Sequence, residues 1–122
     1  MNEDWLIGFT EGEGCFTYHS YKGGIRKNGT RTIYKFPSPT FQISQCDKEI
    51  IEKIKEYFKK TGINGSITKR PRIKKQHHQA YEFRVYGRKN NLKIFLFFKD
   101  KLITKNKKRQ FETWGKRCDL YE

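Results

Sequence analysis

The sequence predicts an α+β fold in which one antiparallel sheet carries helices on one of its faces. Three observations lead there. Apolar residues switch between a helical and a two-residue period in the order α-ββ-α-ββ-α-α. The alternating segments come in two pairs, each a hairpin, and antiparallel pairing joins hairpins into a sheet with one packed and one open face. The length of 122 residues suits a single domain, residues 1–122, large enough to bury a core without staples.

Residues 4–13 read as the first helix, with Asp4 as cap, Trp5, Leu6, Ile7 and Phe9 as its apolar stretch and Gly14 as its stop. From Cys15 to about Lys22 the period changes, with Phe16, Tyr18 and Ser20 alternating against Thr17, His19 and Tyr21. A turn region from Gly23-Gly24 to Gly29 leads into a strand from Arg31 to Gln45, clearest where Phe41 and Ile43 alternate with Thr40, Gln42 and Ser44. Pro37 and Pro39 cannot donate to a ladder, so they predict an edge or a bulge in this strand. Asp47 caps the next helix, in which Ile50, Ile51, Ile54, Tyr57 and Phe58 recur at helical spacing before Gly62.

In the second hairpin Ile67 and Ile73 alternate with Thr68, Arg70 and Arg72, and Tyr81, Phe83 and Val85 with Glu82, Arg84 and Tyr86, around a polar loop at 74–79. Asn90 or Asn91 is placed as the cap of a helix containing Leu92, Ile94, Phe95 and Phe98. A basic helix follows from about Thr104 to Arg117, with Phe111 and Trp114 inward. Asn28-Gly29 and Asn64-Gly65 read as turns.

Charge narrows the function. Lysine and arginine total 27 against 13 acids, a net charge of +14, which calls for a polyanion, nucleic acid first. The aromatics, 16% of the chain, fall mostly in apolar-alternating segments and read as core rather than as base-stacking platforms. Cys15, Cys46 and Cys118 are odd in number and lack the short paired spacing of a zinc site, as expected of reduced thiols in an intracellular protein. His19, His77 and His78 follow no ligand spacing. No stretch approaches the ~18 apolar residues of a membrane span and no signal-peptide layout opens the chain, so neither a membrane partner nor secretion is expected.

A strand of ~11 residues at ~3.3 Å each spans ~36 Å, about ten base pairs of a major groove. The residues predicted on the open face are Thr17, His19, Tyr21, Ser38, Thr40, Gln42, Thr68, Arg70, Arg72, Glu82, Arg84 and Tyr86. They mix donors, acceptors and cations suited to base edges, although a solvated sheet face would also carry polar residues.

The stretch WLIGFTEGEG, residues 5–14, is unusual for a helix. Glycine inside a helix costs ~1 kcal/mol relative to alanine, so Gly8 and Gly12 need an offsetting contact. Four residues apart, they share one face and admit a close backbone, either this chain's own sheet or a second copy across a two-fold axis. In the second arrangement Glu13 of each copy converges on the other, and a cation between them relieves the repulsion. Carboxylate, water and phosphate oxygens together suit Mg²⁺.

Residues Leu6-Ile7-Gly8-Phe9-Thr10-Glu11-Gly12-Glu13-Gly14, followed by Cys15-Phe16, resemble the signature of the LAGLIDADG homing endonucleases, and the order of elements is similar to that family's αββαββα unit with its saddle-shaped sheet. Only one copy of the motif is present, and single-motif members act as homodimers. The resemblance implies that Leu6, Gly8, Phe9 and Gly12 line the dimer interface, that Glu13 is the catalytic metal-binding acid with the Gly12 carbonyl beside it as a metal ligand, and that Glu11 caps or braces the helix interface rather than performing the chemistry. Thr40-Phe41-Gln42-Ile43-Ser44-Gln45 resembles the end of the family's second strand, which implies that Gln45 orders active-site water. The stretch Leu102 to Lys107 resembles the one bearing the active-site lysine, placed at Lys105 with Lys107 or Lys108 as alternatives.

Two departures stand out. The motif acids are glutamates, and a basic residue that some members carry after the glutamine falls near Glu49 here. The implied function is homodimeric, site-specific cleavage of a long pseudo-palindromic double-stranded DNA target by hydrolysis dependent on Mg²⁺ or another divalent cation, as in intron homing. The alternative is a non-cleaving protein of the same fold, such as an intron RNA splicing maturase. An organelle, mitochondrion or chloroplast, or a microbial cytoplasm would suit either.

Overall fold

The computed structural model describes residues 1–19, 29, 36–70 and 78–121. Tyr21, Arg72 and His77, named above, lie outside the described residues, as do Ser20, Lys22, Gly23, Gly24, Asn28, Arg31 and Ile73. The described elements are α1 (Glu3–Glu13), β1 (Gly14–His19), β2 (Ser38–Gln45), α2 (Lys48–Lys60), β3 (Ser66–Lys69), β4 (Tyr81–Tyr86), α3 (Arg88–Phe98) and α4 (Lys105–Arg117).

The strands form one sheet in the order β1-β2-β4-β3, every neighbouring pair antiparallel. Two hairpins joined through β2 and β4 make the α+β sheet that the sequence predicted. Residues directly opposite one another share a face. The register sets Phe16 beside Phe41 and Val85, and Ile43 beside Phe83 and Ile67. These side chains bury against Leu6 of α1, Ile51, Ile54 and Phe58 of α2, Ile94, Phe95 and Phe98 of α3, and Phe111 and Trp114 of α4. All four helices contribute to this one core. Its rings meet edge-on or tilted around Phe16, whose centroid lies 5.0 to 5.6 Å from those of Phe41, Phe98, Phe111 and Trp114.

Several details differ from the sequence reading. β2 is an interior strand, paired on both sides, rather than an edge. Its Pro39 is tolerated because the ladder to β4 ends one residue away, at the Thr40–Tyr86 pair. Asn2 caps α1 in place of Asp4, its Oδ1 accepting from the Trp5 amide at 2.8 Å, and Asp4 instead lends its charge to the first turn. α3 begins at Arg88 behind Gly87, whose φ of 83° favours glycine. Neither Asn90 nor Asn91 caps it. Asn91 is buried inside its first turn, where Nδ2 donates to the carbonyls of Pro39 at 3.0 Å, Val85 at 2.9 Å and Gly87 at 2.7 Å. Asp47 caps α2 as predicted, accepting from Glu49 and Ile50.

α4 is fastened at both ends and along one face. Arg88 donates to the carbonyls of Cys118 and Asp119 and so places a cation at its C-terminus. Along its length Lys107 donates to the Gly14 carbonyl, Gln110 accepts from the Phe16 amide at 3.3 Å, and Trp114 donates to the Thr17 carbonyl at 2.7 Å. Spaced three and four apart, the three side chains lie on one stripe of the helix and attach it to the β1 backbone.

Candidate active site and nucleic-acid interface

The end of α1 is where the motif residues separate into different roles. The Gly14 amide closes the helix on the Thr10 carbonyl, so the carbonyls of Glu11, Gly12 and Glu13 lie beyond the last intrahelical bond. Glu13 is exposed, and among the described residues it makes no hydrogen bond or ion pair. Gly8 and Gly12 are exposed as well, and a Cβ built on either meets nothing within 4 Å among the described residues. The glycines therefore do not serve packing against this chain's own sheet. Their face is open, flanked by Trp5, 40% exposed, which stacks on Phe9 at 4.8 Å. Leu6 corrects the predicted interface set: it is 0% exposed, inside the core, and turned away from that face.

Glu11 points elsewhere. Its carboxylate accepts from the amides of Ile103 and Thr104 and from the Thr104 hydroxyl, so it caps the start of α4 from another helix. Burial pushes this carboxyl up, but the bonds from Thr104 and Ile103, with the nearby charge of Lys107, outweigh that and hold it below the usual range. α1 thus fixes the entry of the lysine-bearing helix.

Among the three lysines considered, Lys107 is half-buried with its ammonium on the Gly14 carbonyl, one residue from Glu13, whereas Lys105 and Lys108 are exposed. Gln45 ends β2, two residues beyond Ile43, the partner of Gly14, which places it at the same end of the sheet as Glu13. Its Oε1 accepts from the Cys46 amide at 2.8 Å, which leaves the amide nitrogen to donate. Glu49 pairs with Lys53 at 3.6 Å, but Lys48 sets its ammonium 5.8 Å from the ring of Tyr81, the partner of Gln45. A cation therefore stands over the strand partner of Gln45, one position earlier than the sequence reading sought it, and it also pairs with Glu52 at 3.7 Å.

The sheet face opposite the helices carries three cross-strand rows: Cys15, Gln42, Arg84 and Ser66; Thr17, Thr40 and Tyr86; and Ser44, Glu82 and Thr68. His19 and Ser38 pair beyond them, and Arg70 continues past β3 through its amide bond to the Ala80 carbonyl at 2.9 Å. The described residues chosen from the sequence all fall on this face. Two are not open to solvent as expected: Thr40 and Glu82 are each 1% exposed, and Glu82 is covered by Ser44, Arg70 and Arg84 of its own face. Cys15, Ser44 and Ser66 were missed, although the same two-residue period reaches them. Burial pushes the Cys15 thiol up despite the opposing charge of Lys107, with Glu82 adding to the rise.

Comparison with known proteins decides the family. The LAGLIDADG endonuclease family matches residues 6–118, nearly the whole chain. This chain belongs to the LAGLIDADG family. The crystal structure of the homing endonuclease I-TnaI superposes on it with a TM-score of 0.70 at 27% identity, over 95% of this chain and 70% of that one. The LAGLIDADG meganuclease I-AabMI, in its crystal structure bound to uncleaved DNA, superposes with a TM-score of 0.66 at 23% identity, over 98% of this chain and 36% of that one, a likeness of fold. No curated protein sequence matches.

Within this LAGLIDADG chain no group of three His, Cys, Asp or Glu side chains assembles for a metal among the described residues. The donors at the end of α1, an exposed carboxylate and a carbonyl beyond the helix ladder, are hard oxygens of the kind Mg²⁺ prefers. They fit one side of a cation site.

Proposed function

We propose that the chain is a homodimeric, site-specific endonuclease that hydrolyses both strands of a long, partly palindromic DNA duplex with the aid of a divalent cation. One observation carries this reading: α1 leaves its glycine face and the carboxylate of Glu13 open at the same time, next to a polar and basic sheet face. Support for the partner comes from the charge of +14 and from I-AabMI, a relative in fold that was crystallised on DNA.

Pairing of two chains through Gly8, Phe9 and Gly12, with Trp5 at the rim, brings the two Glu13 carboxylates together on a shared axis. Glu13 and the Gly12 carbonyl would hold the cation, with waters, phosphate oxygens and the second copy completing its shell. Once bound, Mg²⁺ supplies positive charge at the scissile phosphate and a more acidic water. The remaining roles belong to the protein. Lys107, fixed on the Gly14 carbonyl, offsets phosphate charge, and the Gln45 amide nitrogen orients water at the same end of the sheet. The outer sheet face places each active centre over its strand, and no side chain needs to act as nucleophile.

The test is a pool of randomised duplex sites incubated with the protein and Mg²⁺, alongside an EDTA control and Glu13→Gln, with all cut ends sequenced. The expected result is staggered cutting at one partly palindromic site, lost in both controls, with Glu13→Gln still retaining that site on a filter. Selective retention without cutting by the unsubstituted protein overturns the enzyme reading in favour of a binding protein, with intron RNA as its next substrate.

A further inference from the structure

We propose that Glu82 is a positioning residue for target recognition, a buried carboxylate that aims Arg84 and Arg70 at bases and does not itself read one. The inference rests on the sheet face being the DNA-reading surface. Glu82 stands in the middle of that face at 1% exposure, an unusual place for a carboxylate unless its oxygens are occupied. They are. One oxygen accepts from Arg84 Nε, and the other accepts from the Ser44 hydroxyl at 2.9 Å and lies 3.9 Å from Arg70 Nε. Three strands are tied at one point, since Ser44 is on β2, Glu82 and Arg84 on β4, and Arg70 follows β3.

Which nitrogen is held decides what the arginines can do. Glu82 bonds Arg84 through Nε, the inner corner of the group, and faces Arg70 Nε at ion-pair distance, so it does not use the Nη groups of either arginine. Those groups form paired bonds to guanine O6 and N7. Arg84 is restrained a second time, its Nη1 donating to the Tyr86 hydroxyl at 3.1 Å, while the Arg70 side chain remains 58% exposed. Without a charge between them, two neighbouring arginines would repel and sample many rotamers, and a flexible arginine binds any phosphate it reaches. Held at Nε, Arg84 presents its fork in one orientation, and the same carboxylate draws Arg70 toward it, so binding to the wrong base costs more. A chain with 27 basic residues has phosphate affinity in excess, and orientation is the scarcer property.

The experiment retains sites from a randomised duplex library on the full-length protein, with Ca²⁺ in place of Mg²⁺, and sequences them. The variants are Glu82→Gln, Glu82→Asp, Arg84→Ala, Arg70→Ala and Ser44→Ala, with the melting temperature of each recorded. Glu82→Gln is expected to flatten base preference about fivefold or more at the positions that Arg84→Ala or Arg70→Ala also flattens, and to keep preference elsewhere. Glu82→Asp recovers part of it. Preference kept at the arginine-dependent positions, or lost equally at every position, overturns the proposal. If Glu82→Gln does not fold, Ser44→Ala decides: the same positions relax in part, and unchanged preference there is the overturning result. An unsubstituted protein that selects no sequence refutes the DNA-reading surface itself, an outcome separate from a Glu82 variant that merely keeps its preferences.

Discussion

Lys105 and Lys107 differ by two residues and a half-turn of α4, and that rotation separates a solvated cation from one lodged at the Gly14 carbonyl. Lys107→Met is therefore expected to slow single-turnover cleavage about 100-fold with a much smaller effect on affinity. Lys105→Met should chiefly weaken binding at moderate salt, and equal rates for the two variants would contradict the assignment. Glu11 allows a second test. Its folded carboxyl lies below the ordinary 4.5, so its stabilisation is complete above pH 4.5 and disappears as pH falls through the lower folded value. Glu11→Gln should cost about 0.5–1 kcal/mol at pH 7, as loss of a helix cap does, and progressively less toward pH 3 in parallel denaturation series. At this scale the sequence is least legible. Nothing in the run Lys105 to Arg109 sets the rotation of the helix, which Gln110 and Trp114 fix through β1. Alternation put Glu82 on the outer face but could not reveal that Ser44, Arg70 and Arg84 would close over it.

Elements were more legible where their signal is local. α2 follows from one apolar stripe and one capping aspartate, and α4 begins within a residue of its predicted start. Strand order was harder, because a two-residue period says which face a side chain takes and nothing about which strand lies alongside. Pro39 pointed to an edge only because the early end of β4 is a long-range fact. Asn91 is similar: its spacing suits a cap, yet its amide joins α3 to β2 and β4. Asn91→Leu would leave the Pro39 and Val85 carbonyls without that donor and should cost about 2–4 kcal/mol in urea denaturation. Asn90→Ala, at a half-buried site, removes only the acceptor of the Asn64 amide at 3.3 Å and should cost less than that.

At the scale of the whole molecule the open face of α1 bears on the two alternatives that the sequence raised: no part of this chain's own sheet lies against Gly8 or Gly12 among the described residues, and the proposed pairing of two copies would cover them. A Cβ at position 8 meets nothing within 4 Å among the described residues, so Gly8→Leu should leave the monomer folded, with a melting temperature that no longer rises with protein concentration. Sedimentation should find half the parent's mass. A variant that stays dimeric excludes this face as the contact. The same feature has a consequence for the cell. If each chain carries one exposed acid and cutting needs two, the competent species grows with the square of chain concentration at low abundance. Halving synthesis would then cut nuclease activity fourfold, and a few stray copies would be nearly harmless. Gene dosage alone would act as a safety catch on an activity dangerous to its own genome.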